Sequence, residues 1–353
     1  MIISQTPYRI SFFGGGTDFP SWYRRHGGSV LSTTINRYVY ISCRYLPPFF
    51  EHKHRIVYSQ IETVRNVESI VHPAVRNIFQ FLEVQDGLEV HYDGDLPARS
   101  GIGSSSSFTV GLLNTLFALQ GRRKSKRELA ELAIHVEQDV IKETVGSQDQ
   151  VAAAYGGLNR IDFHRDSSFS VNPVVMPPER AEDLNARLML FFTGFSRIAE
   201  GIEKSKMRDR EAWEIHLARM QGMVDGALQV LESQWADLDE FGRMLHEGWL
   251  LKRSLSEQVS NSTIDEIYQK GLAHGALGGK LLGAGGGGFL LFYVPLDRQR
   301  DVRAALSGLI EVDFKFEYGG AQIILYNPDM ASHRPPISSL NGVANRFPEI
   351  SGS

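Results

Sequence analysis

The chain has 353 residues, of which 42% are hydrophobic and 22% charged, and its formal net charge at pH 7 is -4. A chain of this length can bury one large core or two joined cores, so two lobes are expected. The slight negative charge argues against a nucleic-acid-binding protein. The N-terminus lacks a basic segment followed by an apolar run, and no stretch approaches the roughly 20 apolar residues of a membrane helix. We therefore expect a cytoplasmic protein without a membrane partner.

The first element in chain order is a short strand that runs into three glycines. Residues 6–13 form the predicted strand, and the glycines at 14–16 precede the polar pair Thr17 and Asp18. Glycine adopts backbone conformations that are closed to other residues, so the segment predicts a tight turn that presents the polar pair. Asp18 has a second interpretation, as the cap of a helix that begins near Pro20.

Residues 38–45 alternate in the manner of a further strand, with apolar positions that share one face with Cys43. Cys43 is the only cysteine, which excludes an intrachain disulfide and favours a reducing compartment. We expect it to be a buried structural thiol. His52 and His54 follow among charged residues, and we expect them to face solvent rather than to bind zinc.

Segment 96–107 carries the most informative pattern of the chain. It joins a predicted strand over residues 88–92 to an apolar helix, and it holds two glycines followed by four serines. Glycines let the main chain approach a ligand, and the unpaired amides of a first helical turn attract anions. An ordinary loop with a serine N-cap has the same appearance, and neither the Walker A nor the Rossmann glycine pattern is present. The candidate phosphate-binding residues are Pro97, Gly101, Ile102, Gly103, Ser104, Ser105, Ser106 and Ser107.

An apolar helical stripe over residues 129–136 brings Glu137 to its edge. After a break, Ser147 and Gln150 have the spacing of a capping box, which predicts a second helix with Asp149 in its first turn. The helix dipole would stabilise a carboxylate there by about 0.3 to 1 kcal/mol. A functional role is the alternative, and these residues alone leave both open.

The remaining chain is strongly helical from about residue 200 to residue 276, and a second glycine-rich loop at 278–288 then leads into an apolar strand. This loop either approaches a ligand or forms a structural bend. Pro177 and Pro178 mark an expected boundary between lobes. Apolar positions among residues 213–220 suit a homodimer as well as the core.

The three glycine-rich segments, in this order, resemble the signature of the GHMP kinase superfamily, the group of galactokinase, homoserine kinase, mevalonate kinase and phosphomevalonate kinase. The resemblance spans about residues 6–294. It implies an α+β protein with a ribosomal-protein-S5-like N-terminal lobe, a ferredoxin-like C-terminal lobe and an active site in the cleft between them. The expected divisions are an ATP-binding domain over 1–180, a C-terminal domain over 181–330 and a loosely structured tail over 331–353.

The resemblance also implies roles for single residues. Kinases of this superfamily place a magnesium-binding glutamate on a helix and, further along the chain, an aspartate that accepts or orients the substrate hydroxyl. Glu137 and Asp149 match this pair. Ser105 matches the hydroxyl that completes the metal site, and Arg9 matches the basic residue beside the catalytic aspartate. We therefore expect ATP and Mg²⁺ as cofactors, and we leave open whether Asp149 removes the hydroxyl proton or only orients the hydroxyl.

The second glycine loop is similar to the loop that closes on the nucleotide phosphates in this superfamily. Leu282 stands where many members carry threonine, which puts a hydrogen bond of that hydroxyl in doubt. The backbone approach allowed by the glycines remains. The residues expected to face the phosphates are Gly285, Gly286 and Gly287.

Within the superfamily, the turn Gly-Gly-Gly-Thr-Asp resembles that of kinases acting on C1 of D-glycero-D-manno-heptose 7-phosphate. Short polar side chains on a glycine turn suit hydrogen bonds to vicinal hydroxyls. Arg197 is expected to hold the 7-phosphate as a bidentate donor, with an ordinary surface arginine as the alternative. The residues expected to bind the sugar are Gly15, Gly16, Thr17 and Asp18.

The leading hypothesis is thus an ATP- and Mg²⁺-dependent kinase for the C1 hydroxyl of a heptose 7-phosphate, in the synthesis of activated heptose for a bacterial surface polysaccharide. One alternative is a related kinase for fucose, galactose or mevalonate. Another is a catalytically silent sensor of sugar and nucleotide. The presence of Arg9, Glu137 and Asp149 together argues against the sensor, because binding alone does not require all three.

Overall fold

The computed structural model describes residues 1–47, 49–194, 210–256 and 258–327, and for 210–212 it describes the backbone only. The predictions for Arg197 and for the tail over 331–353 therefore lie outside the described residues. None of the helices in these ranges is long and apolar enough to span a membrane.

The described ranges form thirteen strands and ten α-helices, numbered here in chain order. The strands are β1 (Ile2–Phe13), β2 (Gly28–Tyr45), β3 (His54–Val57), β4 (Ile61–Val64), β5 (Leu88–Gly94), β6 (Leu158–Phe163), β7 (Phe169–Pro173), β8 (Leu188–Phe192), β9 (Gly278–Leu281), β10 (Phe289–Tyr293), β11 (Ile310–Glu311), β12 (Phe316–Glu317) and β13 (Gln322–Tyr326). The helices are α1 (Pro20–His26), α2 (Pro73–Phe81), α3 (Ser104–Leu119), α4 (Lys126–His135), α5 (Gln148–Tyr155), α6 (Pro178–Ala186), α7 (Arg210–Glu232), α8 (Asp239–Ser254), α9 (Ser262–Ala273) and α10 (Gln299–Ala305).

The first sheet is built around the long antiparallel pair β1 and β2, which runs from Ile2 opposite Cys43 to Phe13 opposite Leu31 with two register shifts between them. Its strand order is β13-β1-β2-β5-β3-β4, with β6 and β12 also paired to β2 and β7 paired to β6. Helix α3 packs against β1 and β2, and α5 packs against α3 and α4. This packing brings the N-termini of α3 and α5 to the same end of β1.

The second sheet has the order β11-β8-β10-β9, and all of its neighbouring strands are antiparallel. Two split β-α-β units produce this order, which is the ferredoxin-like arrangement that the resemblance implied. In β10, Phe289, Leu291 and Tyr293 belong to the larger core that extends from the first sheet. Leu290 and Phe292 belong to a smaller core on the opposite face. The expected α+β fold is thus confirmed.

Sheet membership does not follow a single division of the chain at residue 180. Strands β12 and β13 lie in the predicted C-terminal domain, yet they pair with β2 and β1 of the first sheet. The last described strand therefore returns to the first one, with Ile2 opposite Tyr326. The domain boundary at 180 stays a prediction.

Two local expectations have opposite outcomes. Cys43 is free and buried as predicted, and burial raises the pKa of its thiol to about 12. His54 was expected to face solvent, but it is fully buried on β3 with its ring 5.6 Å from that of Phe79 on α2. Burial lowers the pKa of His54 to about 4, so the ring packs as a neutral core group.

Candidate functional site

Arg9 and Asp149 form the centre of the site. Arg9 lies on β1, and its Nε and Nη2 atoms donate to the two carboxylate oxygens of Asp149, each at 2.7 Å. Its Nη1 atom donates to the carbonyl oxygen of Gly101 at 2.6 Å. Arg9 is buried, whereas 24% of the Asp149 side chain is exposed. A guanidinium that bonds both oxygens holds the carboxylate in one orientation. The two residues predicted to be catalytic are therefore brought together.

The first glycine loop (residues 96–103) lies against this pair. The Arg9 N–H donates to the Ile102 carbonyl at 3.0 Å. Gly101 and Gly103 have φ values of +85° and +75°, and a Cβ on Gly103 would stand 3.5 Å from Oδ2 of Asp149. Gly103 is also the N-cap of α3, with no side-chain cap. The first-turn amides and the positive end of the helix dipole therefore suit a phosphate group.

Protein atoms engage three of the four serines at the start of α3, and Ser105 is exposed. The structure brings Ser106 into direct hydrogen-bond contact with Glu137, and the role of Ser105 as a metal ligand stays a prediction. Consecutive helical residues point about 100° apart, so one position in a serine run decides which hydroxyl reaches the carboxylate. The three bonds are Arg99 N–H to Ser104 Oγ (3.0 Å), Ser106 Oγ to Glu137 Oε2 (2.9 Å) and Ser107 Oγ to the Pro7 carbonyl (2.8 Å).

Glu137 is buried in a single π-helical turn over Val136–Val140 that follows α4. Such turns often occur at functional sites. Burial raises the pKa of Glu137 from 4.5 to about 8. Its Oε2 atom accepts from Ser106 and from Nε2 of Gln150, whereas its Oε1 atom has no hydrogen-bond partner. A buried carboxylate with an unpartnered oxygen suits a hard cation, which would favour its ionised form.

The donor set fits Mg²⁺ in particular. Mg²⁺ binds through one or two carboxylates and takes its other ligands from water and substrate phosphates. Over the ranges that the structure describes, no three His, Cys, Asp or Glu side chains cluster into a metal cage. Glu137 could therefore hold the ion together with a hydroxyl of Ser105 or Ser106 and the oxygens of a nucleotide.

The N-terminal glycine turn (residues 14–18) lies on the other side of the Arg9–Asp149 pair. A Cβ on Gly14, whose φ is +78°, would collide with the carbonyl oxygen of Ser29. Thr17 is fully buried, and its hydroxyl lies 2.8 Å from the Gly14 carbonyl oxygen and accepts from the Ser29 N–H at 3.1 Å. Thr17 was expected to bind substrate. Its hydroxyl instead holds the turn closed, because none of its surface faces the cleft.

Asp18 joins this turn to α5. Its Oδ1 atom accepts from the Gly16 N–H at 2.8 Å, and its Oδ2 atom accepts from the Gln148 N–H at 3.3 Å. Burial and the neighbouring carboxylate of Asp149 raise the pKa of Asp18. The side chain therefore caps α5, and not α1 as the alternative interpretation proposed.

The capping box predicted at the start of α5 does not form. Ser147 is the N-cap residue, but its side chain makes no capping hydrogen bond. Gly146 lets Asp18 approach instead, because a Cβ on Gly146 would collide with Oδ2 of Asp18. A carboxylate from far along the chain therefore takes the place of the local cap, and Gly146, which lies in the predicted break before α5, provides the room for it.

The second glycine loop (residues 282–288) packs backbone to backbone on the first. A Cβ on Gly101 would lie 2.5 Å from the Leu282 carbonyl oxygen, and a Cβ on Gly288 would collide with the Ser100 carbonyl oxygen. Lys252 on α8 donates to the Leu281 carbonyl oxygen at 2.8 Å and so supports the loop from behind. The contact between the loops therefore requires glycine at Gly101 in the first loop and at Gly288 in the second.

The remaining residues assigned to the nucleotide also lie in these two loops. Gly285, Gly286 and Gly287 have φ values of +120°, +78° and +157°. The Gly286 N–H donates to the Val259 carbonyl oxygen at 3.0 Å, which anchors the loop to the segment after α8. Pro97 is exposed, and its carbonyl oxygen accepts from the Ser100 hydroxyl at 2.5 Å.

Two features of the site were missed from the sequence. Helix α7 covers the N-terminal glycine turn, since a Cβ on Gly16 would lie 2.9 Å from Leu217. Lys280 on β9 is buried and donates to the Phe12 carbonyl oxygen at 2.7 Å, which links the second sheet to the end of β1. Burial, reinforced by the charge of Arg9, lowers the pKa of Lys280 to about 7. The sequence signal that could have predicted a buried role for Lys280 is its place in a strand without other charged residues.

Comparisons with known proteins identify a kinase family whose matched regions include most of this site. The family description "GHMP kinases N terminal domain" matches residues 69–157, and "GHMP kinases C terminal" matches residues 227–310. A D-glycero-alpha-D-manno-heptose 7-phosphate kinase from Campylobacter jejuni is 30% identical over 339 residues, covering 91% of this chain and 98% of that protein. A galactokinase from Pyrococcus furiosus is 24% identical over 332 residues, covering 86% and 92%.

A solved structure of a D-glycero-D-manno-heptose 1-phosphate kinase from Bacteroides thetaiotaomicron has a TM-score of 0.76 and 22% identity, covering 93% of this chain and 100% of that one. This likeness concerns the fold. The first family match contains the first glycine loop, Glu137 and Asp149, and the second contains Lys280 and the second glycine loop. Because the similarity to the C. jejuni enzyme also extends over nearly all of both proteins, this chain belongs to the GHMP kinase family and is an ATP-dependent kinase.

Proposed function

We propose that this kinase transfers the γ-phosphoryl group of ATP to the C1 hydroxyl of D-glycero-D-manno-heptose 7-phosphate and so yields the 1,7-bisphosphate and ADP. A bond forms between the C1 oxygen and the γ-phosphorus, the bond to the β-γ bridging oxygen breaks, and the hydroxyl proton is released. The observation that carries the proposal is the bidentate Arg9–Asp149 pair, held between a phosphate loop and a glycine turn.

The phosphate side of the pair suits the donor. The amides at the N-terminus of α3 and the positive φ of Gly101 and Gly103 allow a triphosphate to lie against the backbone. The Arg9 guanidinium supplies the positive charge that phosphoryl transfer needs next to the reacting group. Glu137 would hold Mg²⁺ through its unpartnered oxygen, and the ion would supply positive charge against the phosphates.

Asp149 suits the acceptor side. Its carboxylate is the partly exposed member of the pair, and it neighbours the carboxylate of Asp18 in the turn formed by residues 14–18. Both of its oxygens are engaged by Arg9, so it is suited to orient the C1 hydroxyl and to accept its proton late in the reaction. The transition state of phosphoryl transfer is loose, and positioning with charge neutralisation supplies most of the rate.

The identity of the sugar rests on the relatives. The C. jejuni protein whose name specifies heptose 7-phosphate is similar over 91% of this chain, and the glycine turn resembles that branch. A kinase for another sugar is the rival, supported by the similarity to the P. furiosus galactokinase. We further propose a cytoplasmic role in the synthesis of activated heptose, and the homodimer stays a prediction.

The test is an ADP-release assay with Mg²⁺ and ATP that compares the heptose 7-phosphate with free heptose, mannose, fucose, galactose and mevalonate. Phosphorus NMR of the product identifies the phosphorylated carbon. Turnover confined to the heptose 7-phosphate, with a new phosphate on C1, is the expected result. A preference for another acceptor would overturn the substrate, and ATP binding without turnover of any acceptor would revive the sensor.

A further inference from the structure

The middle glycine of the N-terminal turn differs from its two neighbours. Gly14 and Gly16 have φ values of +78° and +103°, and a Cβ on either would press on a neighbouring group. At Gly15 the nearest atoms to an added Cβ stand at 3.7 Å, an ordinary contact distance, and its φ is not in the left-handed region. The backbone therefore does not need glycine at this position, and what the missing side chain provides is space.

Two buried polar groups face that space. The atoms at 3.7 Å from the Cβ position are Oγ of Ser11 and Nε2 of Gln148. Ser11 is 7% exposed and Gln148 is 9% exposed. The Ser11 Oγ atom at this space is unpartnered, and so is Oε1 of the amide whose Nε2 atom faces the space. Leaving buried polar atoms without partners is unfavourable, so these two side chains indicate that a ligand completes their bonds.

The same space is next to the reacting groups. Gln148 precedes Asp149 in the chain, and its N–H donates to Oδ2 of Asp18 at 3.3 Å. Ser11 lies on β1 two residues after Arg9. A group bound by Ser11 and Gln148 would therefore be held beside the atom that Asp149 orients.

We propose that Ser11 and Gln148, with the space left by Gly15, form a subsite that binds a hydroxyl group of the sugar next to the one that is phosphorylated. The proposal rests on the proposed function, because its ligand is the acceptor of that reaction. The Gln148 amide donates through Nε2 and accepts through Oε1, and a serine hydroxyl either donates or accepts, so a sugar hydroxyl, which both donates and accepts, suits both side chains. The subsite selects a polyhydroxylated acceptor over one that lacks a hydroxyl at this position.

The test measures how wild type and Gln148→Met discriminate between the heptose 7-phosphate and its 2-deoxy, 3-deoxy and 4-deoxy analogues. In wild type we expect the 2-deoxy analogue, which lacks the hydroxyl next to C1, to lose about 10- to 100-fold in kcat/KM, because it leaves the buried groups unpaired. Gln148→Met should remove most of that discrimination for the same analogue and leave KM for ATP within about two-fold. A residue that only supported the fold would weaken all analogues equally.

Ser11→Ala and Gly15→Ala sharpen the test. Ser11→Ala should reduce discrimination against the same analogue, and Gly15→Ala should raise KM for the sugar because its methyl group fills the space without straining the backbone. Thr6→Val is the matched control. Thr6 has an equally buried hydroxyl without a partner on β1, but it faces Gly111 of α3. Thr6→Val should leave all ratios unchanged.

The outcomes separate this subsite from the proposed function. If wild type phosphorylates the heptose 7-phosphate but Gln148→Met keeps every discrimination ratio, the subsite is overturned and the function stands. If wild type prefers another sugar, the proposed substrate fails, and the deoxy series of that sugar decides on the subsite by the same criterion. If no sugar is turned over, both proposals are overturned.

Discussion

The two sides of the Arg9–Asp149 pair differ in the kind of contact that forms them, because backbone atoms dominate one side and side chains the other. On the proposed nucleotide side, two glycine loops contact each other through backbone atoms, with Gly101 against Leu282 and Gly288 against Ser100. On the proposed sugar side, the N-terminal glycine turn and α5 are joined by side chains, above all the buried carboxylate of Asp18.

This difference indicates how the two sides divide recognition. Backbone amides bind any phosphate group alike, so the nucleotide side is suited to a ligand common to many kinases. Side-chain amides, hydroxyls and carboxylates distinguish one arrangement of hydroxyls from another, so the sugar side is where specificity is expected. Substitutions should therefore separate the two ligands according to the side on which they fall.

The largest effect is expected at the boundary between the sides. Asp149→Asn should lower turnover by roughly 10²- to 10⁴-fold and leave ATP affinity nearly unchanged, because it removes the group that orients the acceptor hydroxyl. Steady-state kinetics together with ATP titration measure both quantities. Asp297→Asn, at a carboxylate whose side chain is 79% exposed, is the control. Wild-type turnover in Asp149→Asn would remove this residue from the mechanism.

Glu137→Gln tests the proposed Mg²⁺ site on the nucleotide side. The amide keeps the shape of the carboxyl group but loses its charge, so the concentration of free Mg²⁺ needed for half-maximal activity should rise by at least about 10-fold. The measurement is activity against free Mg²⁺ at saturating ATP. Glu131→Gln, on the same helical segment with its side chain 51% exposed, serves as control. An unchanged Mg²⁺ requirement in Glu137→Gln would contradict the proposed metal site.

A smaller effect should come from the contact between the glycine loops. Gly101→Ala should raise KM for ATP by about tenfold, or about 1.4 kcal/mol, because the new Cβ presses on the Leu282 carbonyl. Gly121→Ala is a close control, since Gly121 has a similar φ of +72° but open space around it. Both variants bear the strain of a left-handed alanine, about 1–2 kcal/mol. Equal KM values for ATP in the two variants would show that the loop contact does not shape the nucleotide site.

The sequence predicted the two sides unequally well, and the reason is physical. Glycine-rich segments next to a predicted strand leave a local pattern, so the loops at 96–103 and 282–288 were both predicted from the sequence. Even in the first loop the sequence does not predict which serine contacts Glu137, because a shift of one helical position exchanges Ser105 for Ser106.

The sugar side depends on contacts between distant parts of the chain. Thr17 was assigned to the substrate because its residue type suits a sugar, but the direction of its hydroxyl depends on Ser29 across the turn. Asp18 caps α5 across 130 residues, and no local pattern of α5 predicts that. Gln148 lies between the two ends of the predicted capping box and was assigned no role there, because its place beside Gly15 depends on a contact between distant parts of the chain.

The smallest effect is expected at Lys280, which connects the second sheet to the end of β1 through the Phe12 carbonyl oxygen. Its pKa is lowered from 10.5 to about 7 by burial. Below pH 7 it is protonated in both the folded and unfolded chain, and the full cost of burying the charge applies. Between pH 7 and about 10 the unfolded chain binds the proton and the folded chain does not, so stability from this group rises with pH.

Lys280→Met removes this titration. The free energy of unfolding of wild type minus that of Lys280→Met should therefore increase with pH, by up to about 1 kcal/mol per pH unit between pH 7.5 and 9.5. Urea unfolding of both proteins at several pH values measures the difference, in which the other titrating groups cancel. Parallel curves would mean that Lys280 stays charged in the folded protein. It would then add a second positive charge near Arg9. The nucleotide side would in that case bind phosphate through a charged side chain on β9 as well as through backbone amides.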